Sequence, residues 1–497
     1  MTIQMKTKYK MLTCLALLCA GVNQSCTDNL DVAPVSVITE ASYWKSENDA
    51  NGALNGLYVL LRRQASENLY LWGEGRSEVM GLGVQGSGGR ERYHDNSLDV
   101  TTAGPNWLGM YYIVHQANLI LKYVPQITFT SEATKNNILA QAYTMRAFTY
   151  FTMAKTWGDL PLVTEPTEGY DPASIQKPRT PVKEIFSFVK EDIDKATQLF
   201  GESNALAQGR QFWSKPALNA LKADVFLWTA KRLGGGEADF NTALTAITEA
   251  EKADISLLPK FEDVFDYTNK GNKEILMAVR FKDIEVTDNH YSLMYFPQAF
   301  LPSDLDPATK AAIGLPAGQN YWAPSATIRS QFTADDSRKN ASFIEVYTSA
   351  SGTQKFVGSL AVKFNGFVNS GIRLFLDDVI LYRYADLLLM KAEAKNALGQ
   401  DPSAEINKVR ERAYGAAYKQ HVFVSGSKDA NDEAILRERL FELVFEGKRW
   451  WDLVRFGKAF EKIPSLKDRA GKDYLLLFPI SEATLSLEPQ VKQNPGY

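Results

Sequence analysis

Near the C-terminal end of this 497-residue chain, Glu438, Glu442 and Glu446 stand four residues apart, with Arg437, Arg439, Arg449 and Asp452 close by. Clustered carboxylates and guanidinium groups are the material of a hydrolytic site, in which one acid donates a proton and a second carboxylate attacks or activates water. The spacing favours a structural reading instead. Leu436, Leu440, Leu443 and Val444 recur at helical intervals, so the acids form a row on an adjacent face of one amphipathic helix. Gly447 is placed to close that helix in a left-handed cap, Lys448 and Arg449 follow where cations favour its negative end, and a second short helix starts at Trp450. Charged partners on the two helices can knit the hairpin together, with Trp450 and Trp451 packed between them. No ligand is assigned to this cluster.

Residue types suited to recognition lie in irregular segments. Between Asn68 and Asn96 the chain carries Tyr70, Trp72, Arg76, Glu78, Arg90, Arg92, Tyr93, Asp95 and Asn96 among glycines. A second group is Asp288, Asn289, His290, Tyr291 and Tyr295, and a third is Asn320, Tyr321 and Trp322. Flat aromatic faces suit the apolar C–H face of a sugar ring, while carboxylate, amide and guanidinium groups hydrogen-bond its hydroxyls. Trp72, Arg76, Glu78, Tyr93, Asp95, Asn96, Tyr291, Tyr321 and Trp322 are therefore the expected ligand-binding residues. The opposing reading is that these aromatics fill a small satellite core or touch a protein partner.

Other chemistries find little support. Gly81, Gly83 and Gly86 match G-x-G-x-x-G, but no βαβ unit surrounds them and the following Ser87–Arg92 run does not readily start a helix, so the segment reads as a flexible loop. His94, His115, His290 and His421 are scattered without the paired spacing of a zinc site. No nucleophile elbow, phosphate-binding loop or EF-hand loop is present. No cofactor or metal is expected. With 55 Lys and Arg against 58 Asp and Glu, for a net charge of -3, the balance does not point to nucleic acid.

The elements that must position these residues are mainly helical. Apolar periodicity predicts helices over 39–63, 107–123, 132–157, 181–200, 214–231 and 240–253, paired by short turns, with Ser214 as an N-cap and Pro216 in the first turn. From about residue 260 to Asp377 the texture changes to short β-type runs, 275–280 and 361–364, between segments rich in Pro, Gly and aromatics. This excursion is expected to pack beside the N-terminal loops and help build a binding face. Helices resume at Val379 and run with breaks to Glu446. The expected division is a leader at 1–25, a helical half at 26–255, the excursion at 256–377 and a second helical half at 378–497.

At the start, Lys6, Lys8 and Lys10 precede an apolar run, 11–20, too short to span a bilayer, and Ser25 and Cys26 follow. This is a secretion signal. Cys14 and Cys19 fall inside it, so Cys26 has no internal disulfide partner, and its thiol is most simply explained if it carries lipid. Asn23 stands where such sites usually have an aliphatic residue, and ordinary cleavage near Ala20 is the alternative.

The stretch from Glu438 to Gly457 reads E-x-x-x-E-x-x-F-E-G-x-R-W-x-D-L-x-R-x-G and closely resembles the C-terminal signature of the SusD/RagB family. LYRYADLLLMKAEAKNALG (381–399), INKVRERAY (406–414) and QNPGY (493–497) are similar to further family blocks. So are QAYTMRAFTYFTMAKTWGDLPLV (141–163) and SKPALNALKADVFLWTAK (214–231) in the first half. The resemblance implies a mainly α fold, a tetratricopeptide-like helix-pair superhelix with an irregular, aromatic-rich excursion containing a few short β-strands. It also implies a non-enzymatic outer-membrane lipoprotein, anchored by lipid on Cys26, that captures oligosaccharide and passes it to a SusC-like TonB-dependent transporter. Capture of peptides, hydrolysis of surface glycosides and a purely structural adaptor are the alternatives.

Overall fold

The computed structural model describes residues 43–86, 89–169, 175–286, 288–350 and 352–497. The leader, Cys26 and the start of the helix expected from residue 39 lie outside the described residues.

The helices begin from local signals. α1 (Glu47–Ala65) starts at Ser46, whose hydroxyl accepts the Asp49 N–H while the Asp49 carboxylate accepts the Ser46 N–H. It turns Leu54, Leu57 and Leu61 inward. α2 (Leu108–Tyr123), α3 (Glu132–Trp157), α4 (Val182–Phe200), α5 (Lys215–Arg232) and α6 (Gly236–Ala250) follow. α2 packs on α1 and α3, α3 also packs on α4, and α5 packs on α6, so the first half is a stack of neighbouring helices. α3 is buried on nearly every face beyond Ile138, and its Thr144, Thr149 and Thr156 hydroxyls donate to carbonyls one turn back. Ser214 holds the N-cap position of α5, but its hydroxyl makes no capping bond; Pro216 in the first turn provides the start signal.

α6 packs on α7 (Tyr384–Ala397), which packs in turn on α8 (Ser403–Tyr414) and α9 (Lys428–Leu443). The short α10 (Arg449–Arg455) closes the hairpin. Two-stranded antiparallel sheets are set between these layers. β1 (Met80–Leu82) pairs with β3 (Trp322–Pro324), and β2 (Ile275–Val279) with β8 (Val379–Arg383). β4 (Phe343–Thr348) pairs with β5 (Lys355–Ala361), and β6 (Phe367–Asn369) with β7 (Ile372–Leu374). One hydrophobic cluster runs from Ala50 to Val491 through the helical halves and the excursion. The architecture is mainly α, with tetratricopeptide-like helix pairs and short strands confined to small sheets. No helix among the described residues is long and apolar enough to cross a membrane.

Three local expectations are corrected. Residues 379–383 form a strand rather than the start of a helix: every residue of β8 and of its partner β2 is buried, which suits an apolar run covered on both faces. The segment around Gly81 and Gly83 is not a loose loop: Gly81 is paired in β1, and Gly83, just beyond it, donates its N–H to the Tyr321 carbonyl. Gly83 approaches Asn320 so closely that a Cβ would lie 1.8 Å from the Asn320 carbonyl oxygen, and a single helical turn at Glu91–His94 follows. α9 stops at Leu443, well before Gly447, because Val444 is extended and Phe445 takes φ 67°. The Glu74 carboxylate stabilises that departure by accepting the N–H groups of Phe445 and Gly447 at 2.7 and 2.6 Å.

Candidate functional site

The acidic row is the centre of a buried ionic hub. Glu438 accepts hydrogen bonds from Arg338 Nη1 at 2.8 Å and Arg410 Nε at 2.7 Å. Glu442 accepts from Arg383 at 2.7 Å, from Arg338 at 3.2 Å and from Arg412. Glu446, beyond the helix end, accepts from Arg383 Nε at 2.8 Å and Lys363 Nζ at 2.6 Å. Burial alone would push the Glu442 carboxyl up, but Arg412, Arg383 and Arg338 together hold it well below the usual carboxylate range. Glu446 is shifted the same way, by Arg383 and Lys363 acting against burial. Glu442 and Glu446, held in the ionised form by these partners, are poor proton donors. The role of the row is to bind β8, α8, the excursion and α9 together; the expectation that it pairs within the closing hairpin is corrected, since Arg439 pairs instead with Asp452 and Asp386, and Arg449 with Glu78.

A second buried network takes up most of the expected ligand residues. Arg76 donates from Nε to Asn96 at 2.8 Å and from Nη1 to the Leu477 carbonyl at 2.9 Å, with its guanidinium between the Trp450 and Phe478 rings. Glu78 accepts from Arg449 Nη2 at 2.6 Å. Trp72, fully enclosed, packs edge-on against Trp157; Tyr93 lies against Phe478; Tyr291 stacks on Phe364 at 4.1 Å. Trp322 tilts over Tyr70, which also stacks on His290. The expectation that Trp72, Arg76, Glu78, Tyr93, Asn96, Tyr291 and Trp322 face a ligand is thus corrected. Each is buried, with its ring face or polar atoms occupied by protein, and the aromatics belong to the main core rather than to a small satellite one. The three sequence clusters do meet in space, as the expected packing of the excursion against the N-terminal loops requires.

What remains at the surface is a rim along the same junction. Tyr321 is half-buried on the β3 side, with the Arg90 guanidinium over its ring at 5.4 Å and over Trp322 at 4.8 Å. Arg90 also pairs with Glu67 at 2.6 Å. Asp95 is exposed beyond the single turn at Glu91–His94. The rim continues onto the β4–β5 hairpin, because the Asn320 amide donates to the Ser359 carbonyl at 3.0 Å and β5 crosses close to Val84 at Gly358. There Tyr347 and Phe356 face each other across the strand pair at 5.7 Å, 37% and 41% exposed, with Arg329 over the Phe356 ring at 4.3 Å and paired with Glu345 at 2.8 Å. Sequence reasoning missed Tyr347 and Phe356. Two aromatics on either side of a short stretch rich in Ser and Gly are the signal that would have found them, since partners across a hairpin share a face. Among the described residues no group of three or more His, Cys, Asp or Glu is arranged to hold a metal ion.

The chain matches known proteins in both halves. The model of the SusD family matches residues 302–497, and the model described as "Starch-binding associating with outer membrane" matches residues 42–227. SusD-like protein P38 from Formosa agariphila is 29% identical, covering 99% of this chain and 100% of that protein. Among solved structures, NanU of Bacteroides fragilis superposes with a TM-score of 0.84 at 33% identity, covering 94% of this chain and 100% of its own. A SusD superfamily protein from Bacteroides vulgatus gives 0.83 at 31% identity, covering 91% of this chain and 100% of that one. Sequence and fold thus agree along nearly the whole chain: it belongs to the SusD/RagB family.

Proposed function

We propose that this protein is a surface lipoprotein of the outer membrane, anchored through Cys26, which captures an oligosaccharide without cleaving it and delivers it to a SusC-like TonB-dependent transporter. Family membership supports the binding role, and the family-model description supports association with the outer membrane. The observation that carries the ligand class is the rim: Tyr321, Phe356 and Tyr347 offer partly exposed ring surface, while Arg90 and Arg329 are each paired with a carboxylate. Aromatic surface beside charge-neutralised polar groups suits a neutral glycan better than a strongly charged ligand. The absence of catalysis is supported by the hub, whose carboxylates are locked in ion pairs.

The test is affinity electrophoresis of the protein from Thr27 onward in gels cast with a panel of neutral polysaccharides, beside a Tyr321→Ala, Phe356→Ala double variant, with reducing ends assayed in the same mixtures. Retardation by one polymer, lost in the variant and without new reducing ends, is the expected result. Retardation by none moves the reading to peptide capture, and new reducing ends overturn the non-enzymatic reading.

A further inference from the structure

A groove of about 450 Å³ runs between α1, the Gln211 and Phe212 segment ahead of α5, and the loop that follows β2. Its floor is apolar and held in place. Tyr58 and Phe212 meet edge to face at 4.8 Å, and Val59 beside them is 39% exposed. The Tyr58 hydroxyl donates to the Gln141 side-chain oxygen at 2.7 Å and accepts the Trp213 backbone N–H at 2.7 Å. The ring pair is thus set before any ligand arrives, which lowers the ordering cost of binding.

The walls are polar, with an excess of positive charge. Arg62, Arg280 and Lys282 line the groove against a single acid, Glu285. Arg62 pairs with Glu285 at 2.5 Å. Arg280 pairs at 2.8 Å with Asp378, a buried carboxylate that also serves Lys270 at 3.2 Å. Lys282 is exposed and pairs with no carboxylate among the described residues; Asp283, next to it, accepts the Ile284 N–H and does not line the groove. On the rim, by contrast, Arg90 and Arg329 each have a carboxylate of their own. Asn55 and Gln211 add side-chain amides that bond to no other described residue, and an amide offers the donor and acceptor that neighbouring hydroxyls need. A ligand complementary to the whole groove has an apolar ring face, hydroxyls and an anionic group. A neutral sugar leaves Lys282 unmatched, and an acidic peptide brings the charge without the hydroxyl-bearing ring.

We propose that this groove is a second saccharide site, selective for a carboxylate-bearing sugar such as a uronate, with the sugar ring on Phe212, its hydroxyls on Asn55 and Gln211, and its carboxylate on Lys282. The inference is independent of what the surface rim binds. Isothermal titration calorimetry on the protein from Thr27 onward tests it, in the wild type and in the Tyr321→Ala, Phe356→Ala double variant, which removes the rim. The probes are tri-galacturonate, maltotriose and tri-glutamate. Tri-galacturonate should bind both proteins alike, and in the double variant maltotriose and tri-glutamate should bind at least about tenfold more weakly. Adding Lys282→Met or Phe212→Ala should each weaken tri-galacturonate about tenfold, with the thermal midpoint showing that the protein is folded. Lys282 is exposed, so its replacement separates recognition from folding. No binding of tri-galacturonate, or binding that disappears with the rim, overturns the proposal. So does an affinity unchanged by Lys282→Met, and so does tri-glutamate or maltotriose binding the double variant as tightly, which would leave charge alone or the ring alone as the basis of attraction.

Discussion

The Glu74 carboxylate accepts the Gly447 backbone N–H at 2.6 Å, although 373 positions separate the two residues. The same carboxylate accepts the N–H groups of Phe445 and Lys448, so one acid from the N-terminal half satisfies the backbone where α9 gives way to α10. Gly73, next to it, touches the same turn: a Cβ there would lie 1.9 Å from the Gly447 carbonyl oxygen. Replacing Glu74 by Ala leaves buried N–H groups unpaired, each worth about 1–3 kcal/mol. We expect Glu74→Ala to lower stability by roughly 3 kcal/mol or more, read as a drop in the chemical-denaturation midpoint. A loss below about 1 kcal/mol would show that the clamp is dispensable.

Breaking one member of the hub should be costly because its partners stay buried and charged. Glu442→Gln is expected to destabilise by about 3–5 kcal/mol at neutral pH. The pH dependence has a definite sign. The folded Glu442 carboxyl titrates below its unfolded value, so its contribution is present above the unfolded pKa and is lost as pH falls through the folded one. Urea midpoints measured from pH 7 downward should therefore fall more steeply for the wild type than for Glu442→Gln. Parallel curves would contradict the assignment.

Lys155 gives the opposite trend. Burial lowers its pKa to about 8, below the unfolded value, so the folded protein pays for an enclosed ammonium at neutral pH and is relieved as that group deprotonates. Between pH 8 and pH 10 the wild type should gain stability relative to Lys155→Met. A difference that stays flat across that window would place the Lys155 pKa elsewhere.

The surface rim and the buried tryptophans should separate in mutagenesis. Tyr321→Ala and Phe356→Ala are each expected to weaken glycan binding about five- to tenfold while leaving the thermal midpoint within a few degrees, as the loss of about 1 kcal/mol of ring contact implies. Trp72→Ala, which empties an enclosed ring site, should instead cost about 3–5 kcal/mol of stability. Binding loss with intact folding in Trp72→Ala would return that residue to the ligand site.

The lipid anchor is testable without the structure. Cys26→Ala should abolish incorporation of labelled palmitate and release the protein from the membrane fraction. Retention in that fraction with no label would point to ordinary cleavage and a different attachment.

Much of the fold could be read in the sequence because long helices with one apolar face announce themselves: Glu132–Trp157 matches its expected bounds, and the C-terminal motif identified the family. The failures share a cause. The sequence shows that residues 379–382 are apolar, but not that a distant strand lies beside them. It shows that Gly447 can cap a helix, but not that Glu74 draws the chain out of the helix three residues earlier. The ligand residues were misjudged for the same reason. Trp72 and Trp322 lie in irregular segments, where aromatic rings usually mean recognition, but both are covered by long-range packing that leaves no trace in local spacing. Tyr321, one position before Trp322, sits at the margin of that packing, just outside the fully buried strand that Trp322 opens.

Chains emerge from the ribosome N-terminus first. Arg76 receives acceptors from Leu475 and Leu477, Glu78 its guanidinium from Arg449, and Glu74 its donors from residues 445–448, so these groups of the first half wait for the last tenth of the chain. Those hydrogen bonds therefore form only once the closing hairpin has been made. The closing hairpin is thus among the last stretches of chain to be made and the one that completes the polar partners of the first half.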